Sequence, residues 1–114
     1  MANTAAGPAK SKEARTHTVN ITVDARGKIE SVEPGDLSIS KSKQEEVTWE
    51  IVNKDEYFTV DFGDKSPFYE SQFSKDYPVS GLVQRRVLGD PEKKYKYTVR
   101  TKHDQKDPGI IVDT

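Results

Sequence analysis

EVTWEIVN, residues 46–53, is the stretch on which the fold turns. Val47, Trp49 and Ile51 fall at every second position, with Thr48 and Glu50 between them. Successive side chains of an extended chain point to opposite sides, so this spacing marks a strand with one face in a core and one in water. The pattern recurs on either side. Val19, Ile21 and Val23 alternate in HTVNITVD (17–24), and Leu37 and Ile39 in DLSIS (36–40). Phe58, Val60 and Phe62 do so in YFTVDFG (57–63), and Tyr95, Tyr97 and Val99 in KYKYTVR (94–100). LVQRRVL (82–88) is read as a further strand with Val83 and Val87 inward, and GIIVD (109–113) as the last.

Turn chemistry separates these runs. Arg26-Gly27, Glu33-Pro34-Gly35-Asp36 and Gly89-Asp90-Pro91 carry residues that preset or tolerate turn dihedrals. KSKQEE (41–46) and Asn53-Lys54-Asp55-Glu56 are polar breaks. GDKSPFYESQFSKDYPVSG (63–81) has no sustained period. It reads as a long connection anchored by Phe68, Tyr69 and Phe73, with at most one short helical turn. About seven strands and no amphipathic helix predict an all-β domain, a two-sheet antiparallel Greek-key sandwich. Immunoglobulin-like and cupredoxin-like sandwiches both satisfy the pattern.

Composition limits the chemistry. The chain has 114 residues, enough for one domain, and is 32% apolar and 32% charged. Residues 1–15 are rich in Ala, Gly, Pro, Ser and Lys and are expected to form a disordered tail, with the domain over 16–114. That opening segment has no apolar core of a secretory signal, and no apolar run is long enough for a membrane helix. The chain has no cysteine, so disulfides, thiolate metal sites and a cysteine nucleophile are excluded. A cytoplasmic location is the expectation. Net charge is −1, but residues 29–83 hold twelve acids and five bases, and residues 84–106 hold eight bases and three acids. The expected surface is electrostatically two-sided.

The order of segments resembles the cupredoxin family. VEPGDLSISKSKQEEVTWEIVN (32–53) looks like the family's opening, a strand, a short charged turn and a Val-x-Trp strand ending at Asn. YFTVDF (57–62) resembles the strand that begins with a copper-binding histidine. YKYTVRTKHDQKDPGIIVD (95–113) is similar to the closing hairpin that carries the Cys, His and Met ligands. The resemblance places the first histidine at Phe58, or at Tyr57 with a one-residue slip. It places the cysteine at Val99, the second histidine at Lys102 beside His103, and the methionine near Asp107. None of those positions holds a ligand. Type 1 copper requires two imidazoles and a thiolate, and this chain offers His17, His103 and no thiolate. The resemblance therefore implies the scaffold without the metal, with Phe58 and Val99 filling the vacated space.

Other chemistries leave weaker traces. His103, Asp104 and Asp107 are candidate ligands for a divalent ion, opposed by Lys102 and Lys106. No nucleophile elbow accompanies the serines, and Asp61-Phe62-Gly63 lacks the other kinase signatures, so no enzyme is expected. The basic 84–106 hairpin interleaves cations with Tyr95 and Tyr97, as single-strand binders do, but alternation sets Lys96 and Arg100 on the face opposite the tyrosines. Nucleic acid is thus the lesser alternative. The expected role is a non-enzymatic binding or accessory module without cofactor or small-molecule substrate. An unidentified protein partner is met through Tyr69 and Tyr77 of the long connection, or through Arg85, Arg86, Lys96 and Arg100.

Overall fold

A computed structural model of the chain describes residues 15–114. The expected tail lies outside the described residues apart from Arg15, whose carbonyl accepts from the Glu46 amide at 2.7 Å. Ten strands follow: β1 Thr16–Val23, β2 Ile29–Glu33, β3 Asp36–Ser40, β4 Glu46–Ile51, β5 Thr59–Asp61, β6 Gln72–Ser74, β7 Lys94–Lys96, β8 Thr98–Arg100, β9 Gln105–Lys106 and β10 Gly109–Asp113. No helix or helical turn occurs among the described residues.

The strands form three sheets, ordered β2-β1-β4, β3-β10-β7 and β6-β5-β8-β9. The expectation of purely antiparallel sheets is corrected here: β1 runs parallel to β4, and β10 parallel to β3. In both pairs the chain leaves one strand and crosses through other elements before returning, as parallel neighbours require. The second and third sheets are nearly continuous. β7 and β8 are separated only by Tyr97, whose amide donates to the Pro108 carbonyl at 3.0 Å. The chain passes from β2 in the first sheet to β3 in the second across Pro34-Gly35, and the Glu33-Pro34 peptide bond is cis.

LVQRRVL is not a strand. Val83 makes one isolated bridge to Phe68, and the chain then turns, with the Val87 amide donating to the Gln84 carbonyl at 3.1 Å. The sequence carries the reason. Strand geometry would set Arg85 on the same inward face as Val83 and Val87 and bury a guanidinium without a partner. The chain instead leaves Arg85 exposed and Val87 half-buried.

The core lies between the first sheet and the other two. Trp49 of β4 stacks on Phe73 of β6 at 5.1 Å and meets Tyr97 edge-on at 5.6 Å. Phe62 packs against Trp49, Phe68, Phe73 and Tyr97. Aromatic pairs of this kind add about 0.5–1.5 kcal/mol each beyond the area they bury. Two strands, two loop positions and a one-residue break in the β7–β8 run thus meet at a single aromatic cluster. Burial raises the Tyr97 hydroxyl to about 12, more than the nearby Trp49 indole lowers it. Asn53 extends the first sheet with its side chain: Nδ2 donates to the Val23 carbonyl at 2.6 Å and Oδ1 accepts from the Val23 amide at 3.1 Å.

Candidate functional site

The end of the domain where the resemblance sets a metal is packed. Phe58, just before β5, and Val99, in the middle of β8, both lie in the one continuous core. Val99 pairs across the strands with Val60, and neither is exposed to solvent. Lys102 and Asp107 are exposed. Asp107 accepts from the Thr98 hydroxyl at 2.9 Å.

The β8–β9 loop is held by its own hydrogen bonds. Asp104 Oδ2 accepts from the Ile29 amide at 2.9 Å, and Oδ1 from the Gln105 amide at 2.8 Å. Those two bonds, the Ile29 bond foremost, hold the Asp104 carboxyl below its usual range. Thr101, buried, donates from Oγ1 to the Gly27 carbonyl at 3.2 Å. The His103 ring closes over Gly27, where an added Cβ would stand 2.7 Å from His103 Cδ2. The positive φ of +81° at Gly27 also suits glycine. The three candidate ligands are therefore not brought together: His103 faces Gly27, Asp104 faces backbone amides and Asp107 faces Thr98. Among the described residues no group of three His, Asp or Glu side chains is placed to hold a metal ion.

The six partner-binding candidates divide among three places. Tyr77 and Arg100 line the same open groove around β6, together with Tyr57, Asp61, Glu70 and Val79. Tyr57, Tyr77 and Val79 are 55%, 78% and 49% exposed, so three large apolar surfaces converge on one concavity. Tyr69 is exposed apart from these, and its hydroxyl accepts from the Arg85 amide at 3.2 Å. Arg86 and Lys96 line a second groove with Lys65, Lys93 and Lys94.

The first groove is braced from behind. The 78–81 segment lies along β4: the Trp49 amide donates to Pro78, the Ser80 amide to Val47, and the Val47 amide to Ser80 Oγ at 2.8 Å. The Ser74–Tyr77 turn is closed by reciprocal backbone bonds. A rigid turn thus carries an exposed tyrosine, an arrangement that limits the ordering cost of binding.

Sequence reasoning missed Tyr57 and Val79 as groove residues and Leu88 and Lys65 as neighbours of the basic cluster. Tyr57 was legible in principle. It is out of phase with Phe58, Val60 and Phe62 and so projects away from the core. The convergence of Val79 with Tyr77, Tyr57 and Arg100 depends on how strands separated along the chain pack together. Searches of protein-family models, curated proteins and solved structures give no match to this chain.

Proposed function

We propose that the chain is a non-enzymatic, protein-binding module on a cupredoxin-like Greek-key sandwich that lacks type 1 copper. One observation carries the reading: the positions that the resemblance assigns to ligands are core residues or exposed ones that do not converge, while exposed aromatics gather at a preformed groove. Phe58 and Val99 take up apolar volume, and Lys102 and Asp107 face solvent. The Trp49 strand, with Asn53 beyond its end pairing its side chain with Val23, and the antiparallel pairing of β10 with β7 support the scaffold assignment. The groove of Tyr57, Tyr77, Val79 and Arg100 supports the binding role, since aromatic and arginine side chains in a concave setting dominate interface energetics. A cysteine-free chain with no helix, among the described residues, long and apolar enough to cross a membrane suits work in the cytoplasm.

Affinity capture with the wild-type chain and a Tyr77→Ser/Arg100→Glu variant tests this reading, alongside dialysis against Cu(II) and Zn(II). The expected result is a protein retained by the wild type and lost by the variant, with no stoichiometric metal. Tight one-to-one metal binding that moves the His103 NMR signals, or equal capture by both chains, overturns it.

A further inference from the structure

The second groove has a charge balance that the binding-module reading does not by itself explain. It lies between the 62–66 segment, the 86–90 loop and β7. Lys65, Arg86, Lys93, Lys94 and Lys96 face it, against the carboxylates of Asp64 and Asp90. Lys94 is paired with Asp36 at 3.2 Å. Among the described residues, the other four cations have no carboxylate within ion-pair distance. Asp90 already accepts from the Glu92 amide at 3.0 Å. Five cations against two carboxylates leave the lining with an excess of positive charge, and that field favours an anion entering the groove.

The groove is also preformed. Gln84 Nε2 donates to the Ser66 and Phe68 carbonyls at 3.2 and 2.6 Å and so ties one wall to the other. Lys41 Nζ donates to the Arg85 and Val87 carbonyls and fixes the loop from behind. The Arg86 guanidinium is oriented through Nε, which donates to Gln84 Oε1 at 3.1 Å. Leu88, 80% exposed, lines the same concavity beside half-buried Val87.

Nucleic acid fits this lining poorly. Base recognition by single-strand binders needs free aromatic faces. The Tyr95 ring is half-buried and covered by the Lys93 ammonium at 4.9 Å, and Tyr97 is buried. The strongly exposed tyrosines line the other groove or hold Arg85. Cations around an exposed leucine suit carboxylates interspersed with apolar side chains.

We infer that the groove formed by Lys65, Arg86, Leu88, Lys93 and Lys96 docks an acidic, leucine-bearing peptide segment of another protein. The inference rests on the binding-module reading and names the chemistry of the partner. Carboxylates sit against Lys65, Arg86 and Lys96, and an apolar side chain packs on Leu88.

Fluorescence anisotropy on the full chain tests it with four labelled probes: a glutamate peptide containing leucines, its glutamine counterpart, an all-glutamate peptide, and a single-stranded oligonucleotide. The expected order is acidic peptide tightest, with affinity falling as salt rises because the cations are exposed. Arg86→Glu/Lys96→Glu is expected to weaken the acidic peptide about tenfold or more. Leu88→Ser is expected to weaken the leucine-bearing peptide severalfold and to leave an all-glutamate peptide unchanged. These substitutions are at exposed positions, and circular dichroism checks that the fold survives. Salt dependence of the wild-type chain gives a readout without any substitution. Equal affinity for the acidic and glutamine peptides, tighter binding of the oligonucleotide, or no binding of any probe overturns the inference. So does self-association of the chain that the acidic peptide does not compete away. The two readings fail separately. A stoichiometric metal overturns the module whatever the peptide does, whereas a metal-free chain that keeps its partner but ignores the charge reversals overturns only the acidic-peptide inference.

Discussion

Val60 on β5 and Val99 on β8 face each other across two antiparallel strands, and both are fully shielded from solvent. The resemblance sets a metal-binding thiolate at Val99, and the structure gives that position the role of a core contact. Its removal should therefore act on stability. Val99→Ala is expected to lower unfolding stability by about 1–3 kcal/mol and Phe58→Ala by about 3–5 kcal/mol, from lost burial and the cavity left behind. Val99→Asp, which buries an unpaired charge, should prevent folding. Chemical denaturation followed by Trp49 fluorescence measures all three. Unchanged midpoints for the alanine variants would remove the packed end from the account.

Asp104 ties the β8–β9 loop to the start of β2 through the Ile29 amide. Backbone bonds to Ile29 and then Gln105 lower its carboxyl pKa. A carboxyl whose pKa is depressed by folding stabilises the native state above its unfolded pKa and loses that contribution as pH falls through the folded one. Asp104→Asn should have a lower Tm than the wild type at neutral pH, because the amide NH2 can meet a backbone N–H that a carboxylate would accept from. The gap should close as pH drops below the ordinary carboxylate range, about 4. Asp24, Glu45 and Asp55 are lowered in the same direction, so the comparison of variant with wild type, not the wild-type curve alone, isolates Asp104. A gap that persists in acid would show that the loss does not depend on the charge of Asp104.

Much of the fold was legible because most strands bury one face. Val47 and Trp49, Val19 and Ile21, and Leu37 and Ile39 announce themselves by alternation, and all six are core residues. The parallel pairings were not legible. Alternation fixes which face is buried, and leaves open which strand lies alongside and in which direction. The error at LVQRRVL came from counting Val83 and Val87 without the cost of Arg85 in phase between them. At the candidate site, the exposure of Tyr69 and Tyr77 follows from their place in an irregular connection. Their separation into different surroundings follows from hydrogen bonds such as that from the Arg85 amide to Tyr69, which no local pattern encodes.

Gly89 is set by close packing against Asp113 and Thr114. A Cβ there would stand 2.8 Å from the Thr114 nitrogen and 2.9 Å from the Asp113 carbonyl carbon. Backbone cannot move aside as a flexible side chain can. The adjacent Asp90 amide donates to the Val112 carbonyl at 2.7 Å, so the two segments are held at that distance. Gly89→Ala is expected to cost about 1–3 kcal/mol, the range for forced overpacking. Gly63→Ala gives a contrasting control, since nothing lies within 4 Å of an added Cβ there and only the positive φ of +67° opposes it. Its expected cost is about 1 kcal/mol. Thermal melts of the two variants check the order, and a Gly89→Ala chain as stable as the wild type would contradict the packing.

Ser80 links the rim of the tyrosine groove to β4. Its hydroxyl accepts from the buried Val47 amide at 2.8 Å and donates to the Gly81 carbonyl at 2.8 Å. Its own amide donates to the Val47 carbonyl at 2.7 Å. Ser80→Ala leaves the Val47 N–H buried without that acceptor, a loss of about 1–3 kcal/mol. The damage should be local as well as global. Hydrogen exchange at Val47 is expected to accelerate first, followed by Trp49, whose amide depends on the Pro78 carbonyl of the same segment. The same substitution should weaken a partner held by Tyr77 and Val79, because the segment carrying them loses its anchor on β4. Exchange measured by NMR and partner affinity measured in parallel test the link. Faster exchange at Val47 with undiminished affinity would show that the groove does not depend on the 78–81 segment for its shape.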